Sequence, residues 1–135
     1  MIPDLPVEQR SDLLEAGVVA GLETEASAPE SFERALVEAG VPVESVDPAD
    51  GTVDIEFPAD WADGLLYGVG LVGGAYASLV RGGYPATELS ATVLDADGRP
   101  FGEFTAKIDW TRRLGGELTE SGYGTLVADT LETVA

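Results

Sequence analysis

A run of 17 residues without a charged side chain, residues 64–80, constrains the fold of this chain more than any other stretch. Within it, apolar side chains recur at spacings of four, three, four and three, which is typical of a helix with a buried stripe. The stripe consists of Leu65, Val69, Val72, Tyr76 and Leu79. Because further apolar residues widen it, the sequence predicts a central helix that is buried around most of its circumference.

The same run contains five glycines, and each glycine inside a helix costs about 0.5–1 kcal/mol relative to alanine. Two pairs four residues apart, Gly64 with Gly68 and Gly70 with Gly74, favour the close approach of another backbone. Gly70, Gly74 and Ala77 lie towards the side opposite the apolar stripe. Either the terminal helices or a second copy of the chain would cover this side. We predict a homodimer with these three residues at its interface, because an acidic chain self-associates only through a tight apolar contact.

Two other interpretations of this run are weaker. Gly68, Gly70 and Gly73 match the G-x-G-x-x-G pattern of dinucleotide loops, but too few apolar residues precede them to form the required buried strand. A membrane span needs about 20 apolar residues, whereas this run is shorter and is flanked directly by Asp63 and Arg81. We therefore expect no nucleotide cofactor, or any other cofactor, and no membrane contact.

The charge of the chain excludes several classes of partner. Seven basic residues stand against 25 acidic ones, which gives a net charge of −18, and Lys107 is the only lysine. Such a surface repels nucleic acids and anionic membranes. An acidic, lysine-poor surface on an ordinary apolar core is typical of proteins that work in high salt, where charges are screened over about 3 Å at 1 M. No signal peptide is visible at the N-terminus, so we expect a cytoplasmic protein.

Periodicities on either side of the central run predict the other elements. Amphipathic helices are expected over residues 5–22, over a short stretch around Phe32, and after Thr119. Two segments in which apolar and polar residues alternate, 43–57 and 89–110, each contain an Asp-Gly turn and predict hairpins.

The predicted order is α-α-β-β-α-β-β-α within a single domain of 135 residues, a length that suits one core. Residues 1–40 would form a helical N-terminal part, and residues 41–135 a ββαββα core. We predict an α+β fold in which the two hairpins form a four-stranded, mostly antiparallel sheet. The central helix packs on this sheet, and the N- and C-terminal helices lie around it.

Residues 70–110, GLVGGAYASLVRGGYPATELSATVLDADGRPFGEFTAKIDW, carry a resemblance to a known group. Their G-A-Y-A helix and D-x-D-G hairpin, followed by G-E-L-T at 116–119, resemble a group of small acidic proteins of halophilic archaea. The resemblance covers residues 43–134. That group is uncharacterised, so the resemblance implies no catalytic residue. The element order is also similar to that of the small dimeric chaperones of type III secretion, which is an analogy of fold alone.

The chain contains neither cysteine nor histidine. This removes thiol and imidazole nucleophiles, histidine bases and the usual zinc ligands, so we predict no catalytic residue and no metal site. The stretch Asp95-Ala96-Asp97-Gly98 lacks the remaining ligands of a calcium loop, and Asp-Gly is a strong hairpin signal. We interpret this stretch as a turn.

Two functions remain compatible with these features. The first is a non-enzymatic protein-interaction or chaperone-like module of a high-salt cytoplasm, which the absence of cysteine and histidine favours. The alternative is a small-ligand binding protein or enzyme with an anion pocket near Arg81, Tyr84 and Trp110. The residues predicted to line that pocket are Tyr76, Arg81, Tyr84, Trp110, Arg112 and Arg113.

The net charge generates a prediction about stability. We expect the Tm to rise steeply between about 0.1 M and several molar KCl, because screening relieves the repulsion among 18 net negative charges. Thermal melts followed by circular dichroism measure this rise, with a neutral domain of similar size as the control. A Tm that stays flat across the range would contradict the expectation.

Overall fold

The computed structural model describes residues 7–24, 28–39, 41, 43–49, 52–58, 63–84, 88–95, 97–114 and 116–133. Within these residues the helices are α1 (Val7–Leu22), α2 (Pro29–Glu38), α3 (Asp63–Arg81), α4 (Ile108–Arg113) and α5 (Glu120–Asp129). The strands are β1 (Ser45–Ala49), β2 (Thr52–Pro58), β3 (Glu88–Leu94), β4 (Pro100–Lys107) and β5 (Glu132–Thr133). The predicted α+β layout is confirmed, with α4 and the two-residue strand β5 as additions.

The strands form one mixed sheet in the order β1-β2-β3-β4-β5. β1 with β2 and β3 with β4 are the two predicted antiparallel hairpins, and β5 pairs antiparallel with β4. β2 and β3 run parallel, and α3 connects them as a crossover helix. The register of β3 against β4 shifts where Val93 faces Gly102 and Leu94 faces Pro100, which matches a bulge at the intervening residue.

One face of the sheet forms the floor of the core. Val53, Ile55 and Phe57 of β2 are buried, and they alternate with the exposed Asp54 and Glu56. Neighbouring strands continue this buried face with Leu89, Ala91, Val93, Phe104 and Ala106. The alternation places these apolar side chains on the side where the helices lie.

α3 is enclosed by other elements, as predicted for the central helix. Every residue from 68 to 77 is buried. An added methyl group at Gly68 would lie 3.3 Å from the ring of Phe57 on the sheet, and one at Gly73 would lie 3.4 Å from the ring of Tyr123 on α5. These glycines lie within the helix and contact packing partners, so the dinucleotide-loop pattern has no structural counterpart here.

The side of α3 that carries Gly70 and Gly74 packs against α1 at the level of the backbone. An added methyl group at Gly70 would lie 3.0 Å from the amide nitrogen of Val18, and one at Gly74 would collide with the carbonyl oxygen of Val18. The contact is reciprocal, since a methyl group at Gly17 would lie 2.8 Å from the amide nitrogen of Leu71. Close approach of two helices through small residues four apart explains why α3 contains glycines that lower its helix propensity.

This packing corrects the predicted dimer interface. Gly70, Gly74 and Ala77 were expected to meet a second copy, but α1 of the same chain covers the two glycines, and Ala77 is fully buried. A second copy cannot reach these residues while α1 is in place. The other option left open by the sequence, coverage by a terminal helix, is the one that occurs.

A second correction concerns the end of β4. The alternation of apolar residues predicted a strand that continues through Ile108 to Trp110, but the strand ends at Lys107 and α4 begins at Ile108. Contacts four residues apart favour the helical turn: the Thr111 hydroxyl donates to the Lys107 carbonyl at 3.2 Å, and Arg113 pairs with Asp109. The helix moves Trp110 out of the sheet and places it over the end of β4.

The backbone contact between α1 and α3 generates a prediction with a matched control. Gly74→Ala should lower the free energy of unfolding by about 1–3 kcal/mol, because the new methyl group has no room against Val18. Gly73→Ala introduces the same methyl group one residue earlier, where the contacts are ordinary, and should leave stability unchanged or raise it by up to about 1 kcal/mol. Denaturant unfolding of both variants at fixed salt measures the difference, and equal stabilities would show that the helix backbones do not touch.

Candidate functional site

Tyr76 is the most unusual polar residue of the interior. It lies on α3 with none of its surface exposed, and its hydroxyl has no hydrogen-bond partner among the described residues. Burial raises the pKa of Tyr76 from 10.0 to about 12; the negative charge of Glu88 contributes to the rise, and the positive charge of Arg112 opposes it. A buried hydroxyl without a partner costs on the order of 1–3 kcal/mol, so the fold tolerates this group rather than gaining from it.

Tyr123 lies in the same region of the interior, but its hydroxyl is satisfied. It donates to the carbonyl of Gly73 at 2.8 Å, which ties α5 to α3. The hydroxyl oxygen of the buried Thr111 lies 3.4 Å away and also lies within donating distance of the Lys107 carbonyl. Burial raises the pKa of Tyr123 above its usual range. Of these two buried tyrosines, only Tyr123 has an acceptor for its hydroxyl among the described residues.

Arg81 connects the end of α3 to the segment after α4. It lies in the last turn of α3, where a positive charge is favoured by the helix dipole. Its guanidinium donates to the carbonyl of Leu114 at 2.6 Å. Tyr84 follows three residues later and packs half-buried against the core. Arg81 thus has a structural role at the place where an anion pocket was predicted.

The remaining predicted residues lie on α4. Trp110 is half-buried against the core, and the ammonium of Lys107 lies 5.8 Å from its ring centroid, a cation–π distance. Arg113 pairs with Asp109 at 3.9 Å and with Glu117 at 3.4 Å, and all three side chains are exposed. Such pairs contribute little stability, and they neutralise neighbouring acids.

The structure brings Tyr76, Arg81 and Arg112 to one end of α3, but two of the three predicted arginines, Arg81 and Arg113, already have partners within the chain. The use of these residues for a ligand stays a prediction. Thr111 and Tyr123 belong to the same polar cluster and were not predicted as site residues, because the sequence places Thr111 in a short turn and Tyr123 in the apolar stripe of the last helix. Only the fold brings Tyr123 to the carbonyl of Gly73, 50 residues earlier in the chain.

A second surface is formed by the side of the sheet that the helices leave uncovered. We define the open sheet face by the side chains that alternate with the buried ones: Asp47, Asp54, Glu56, Ser90, Thr92, Glu103, Thr105 and Lys107. The charged members are exposed, and the hydroxyl-bearing members of the central strands are partly exposed. This surface is a regular array of carboxylates and hydroxyls on a rigid support.

The strand register sets like charges against each other on the open sheet face. Asp47 of β1 lies directly opposite Asp54 of β2, and Glu56 faces Thr92, which in turn faces Glu103. Directly opposed like charges destabilise a sheet. The hydroxyl of Ser45 donates to Glu56 at 3.1 Å and stabilises one of these carboxylates without neutralising it. The open sheet face therefore attracts cations.

The acidic stretch between β3 and β4 forms a hydrogen-bonded turn. The carboxylate of Asp95 accepts hydrogen bonds from the amides of Asp97 and Arg99, both at 2.9 Å, and Gly98 has a φ of 80°. This confirms the interpretation of the stretch as a turn. Across the described part of the chain, no group of acidic side chains is arranged to hold a metal ion, and no helix has the length and apolarity to cross a membrane.

Comparisons with known proteins place the chain in a family without a known activity. A family model described as a domain of unknown function (DUF8159) matches residues 22–135, so the chain belongs to that family. All of α1 except Leu22 lies before the matched residues. The family match therefore leaves out most of the helix that packs against α3 at the level of the backbone. No curated protein and no solved structure matches the chain.

The contrast between the two tyrosines generates a prediction. Tyr76→Phe should raise the free energy of unfolding by about 1 kcal/mol, because it removes a buried hydroxyl that has no partner. Tyr123→Phe should lower it by about 0.5–1.5 kcal/mol, because it removes the hydrogen bond to Gly73. Denaturant unfolding at neutral pH measures both, and a loss of stability in Tyr76→Phe would show that its hydroxyl is bonded.

The stability of Tyr76→Phe should also depend on alkaline pH differently from that of the wild type. Folding raises the pKa of Tyr76 from 10.0 to about 12, so the unfolded state loses this proton first as the pH increases. The contribution of Tyr76 to stability is therefore intact below pH 10.0 and is lost as the pH rises towards about 12. Tyr76→Phe should lose less stability than the wild type across this window.

Proposed function

We propose that this protein is a non-enzymatic protein-interaction module that works in high salt and binds a basic partner through the open sheet face. The observation that carries the proposal is the one-sided sheet: helices cover the face that bears Val53 and Phe57, while the opposite face presents exposed carboxylates in a fixed register. Carboxylates at fixed positions on this face could recognise a partner whose positive charges have a matching spacing. A cationic partner would also relieve the repulsion between Asp47 and Asp54.

The size of the open sheet face limits the kind of complex. Strands of five to eight residues, spaced by about 4.8 Å with a rise of about 3.3 Å per residue, give a surface of roughly 430 Å². A standard protein interface takes about 800 Å² from each partner. The proposed contact is therefore transient, or the partner extends beyond the sheet. The homodimer stays a separate proposal, and its contact has to use a surface other than the one that α1 covers.

The alternative function, binding of a small anion near Arg81, Tyr84 and Trp110, has one observation in its favour. The Tyr76 hydroxyl is buried without a partner, and it lies within the electrostatic influence of Arg112. The commitment of Arg81 to the carbonyl of Leu114 argues against the alternative, because a ligand would have to compete for that guanidinium. The interaction module is therefore the better supported of the two.

The proposal is tested by neutralising the open sheet face without changing its shape. In the double variant Asp54→Asn, Glu56→Gln both side chains remain isosteric, and the glutamine keeps a carbonyl oxygen for the Ser45 hydroxyl. We expect cross-linking and affinity capture from a high-salt lysate to recover a basic partner with the wild type. Recovery with the double variant should fall by about tenfold, because short-range charge contacts are lost.

The matched control removes two carboxylates from the helical side. Asp12 of α1 and Glu33 of α2 are exposed, so Asp12→Asn, Glu33→Gln changes the net charge by the same amount. This control should capture the partner as the wild type does, and all three proteins should show cooperative melts. Equal loss of the partner in both double variants would mean that only net charge matters, and retention by the sheet variant would refute the assigned surface.

A further inference from the structure

A groove on the helical side of the molecule lies between the ends of α1 and α2. It has a volume of about 470 Å³ and is lined by Ala20, Glu23, Thr24, Ala35, Glu38 and Ala39. We call it the α1/α2 groove. The lining residues on each side are spaced by three and four, and Glu23, Thr24 and Ala39 lie just after the last residues of the helices. Three alanines leave the space open, and two exposed glutamates flank it.

The walls of the groove are fixed by contacts elsewhere in the molecule. On the α1 side, the carbonyl of Thr24 accepts a hydrogen bond from the hydroxyl of Ser78 in α3. On the α2 side, Phe32 and Leu36 are fully buried in the core, which orients the helix so that Ala35 faces the groove. A ligand would therefore find the groove already formed, and binding would not have to order these walls.

The electrostatics of the groove favour a cation. Two helices end there, and the helix dipole gives the C-terminal end of each a partial negative charge. Neither α1 nor α2 has a basic residue in its last turn to compensate for it. The carboxylates of Glu23 and Glu38 add two formal negative charges at the rim.

The groove continues into exposed apolar surface on its α1 side. Val19 is 39% exposed and lies one helical turn before Glu23. Val37, the other exposed large hydrophobic side chain of the described residues, lies about 200° around α2 from Ala35 and therefore faces away from the groove. The alanine floor, Val19 and the acidic rim together match a side chain that has an aliphatic stem and a cationic end, which is the chemistry of arginine and lysine.

We propose that the α1/α2 groove binds an arginine or lysine side chain from a basic, amphipathic segment of a partner protein. The aliphatic stem packs on Ala20, Ala35 and Ala39, and the cationic end lies between Glu23 and Glu38. A neighbouring apolar residue of the segment covers Val19. This site is separate from the open sheet face, and its existence does not depend on the function proposed for that face.

The proposal is tested with a fluorescein-labelled peptide of three Leu-Arg repeats, capped at both ends, and fluorescence anisotropy in 1 M KCl. At this salt the Debye length is about 3 Å, so general attraction to an acidic protein is suppressed. A second peptide carries citrulline in place of arginine, which keeps the shape and removes the charge. We expect the arginine peptide to bind at least about tenfold more tightly than the citrulline peptide, because the latter makes no charge-assisted hydrogen bond.

Three variants locate the site. Glu23→Gln, Glu38→Gln should weaken binding of the arginine peptide by about tenfold, whereas the control Asp12→Asn, Glu33→Gln should change it by less than about twofold. Ala35→Leu keeps every charge and fills the groove, so it should also abolish binding. Amide chemical shifts of Thr24 and Ala39 should move when the peptide is added to the wild type.

The outcomes that overturn the proposal are distinct. Equal binding of the arginine and citrulline peptides would show a merely apolar contact. Equal weakening by Glu23→Gln, Glu38→Gln and by the control variant would show general electrostatic attraction. Full binding to Ala35→Leu, with shifts confined to the open sheet face, would place the peptide on that face and remove the groove as its site.

Discussion

Where α1 crosses α3, the two helices touch backbone to backbone, and the other layers take their positions from this contact. Gly17 and Gly21 of α1 face α3, and Gly70 and Gly74 of α3 face α1, so neither helix has side chains to hold the other away. α3 can then lie between α1 and the sheet while staying buried along residues 68–77. Larger side chains at these positions would separate α1 from α3 and expose the apolar side chains of both helices. The core is already closely packed, so neighbouring side chains could not fill the space that opens.

The elements of this fold could be predicted from the sequence because their signals are local. Alternation in β2 separates Val53 and Ile55 from Asp54, and the Thr119 hydroxyl caps α5 by accepting from the amide of Gly122 at 3.0 Å. The identity of the element that covers the glycine side of α3 could not be predicted from local signals. The spacing of Gly70 and Gly74 indicates that a backbone approaches, but it does not identify which one. Gly17 and Gly21 have the complementary spacing, although in their own helix they look like weak points.

Local signals gave a wrong prediction where the alternation of a strand overlaps with the four-residue spacing of a helix. Alternation continues past Lys107 through Ile108 to Trp110, so a strand was the natural prediction. The helix wins because Thr111 and Arg113 find partners four residues earlier. The polar side of the sheet, in contrast, followed directly from the positions that alternate with the buried ones. The cluster around Tyr76 lay between these cases, since α3 and α4 had to be placed before Arg112 and Tyr76 became neighbours.

The forces that hold the core and the forces that act at the surface respond differently to salt. Backbone contacts such as Gly74 against Val18 act over van der Waals distances and do not depend on ionic strength. Ion pairs among the described residues join only Asp97, Asp109 and Glu117 to arginines, so the net charge of −18 is mostly balanced by the solvent. Concentrated salt provides that balance, and it also removes the long-range steering on which many acidic proteins rely to find basic partners.

In concentrated salt, the proposed recognition of a basic partner would depend on contacts at close range. A flat array of carboxylates in fixed register and a preformed groove with an apolar floor both meet this requirement, because each combines charge with a shape that excludes water from the contact. Charge alone would bind any cation of the medium as well as a partner. The added requirement for shape would let the proposed partner compete with molar concentrations of simple ions, since an ion cannot bury apolar surface against Ala20 or Ala35.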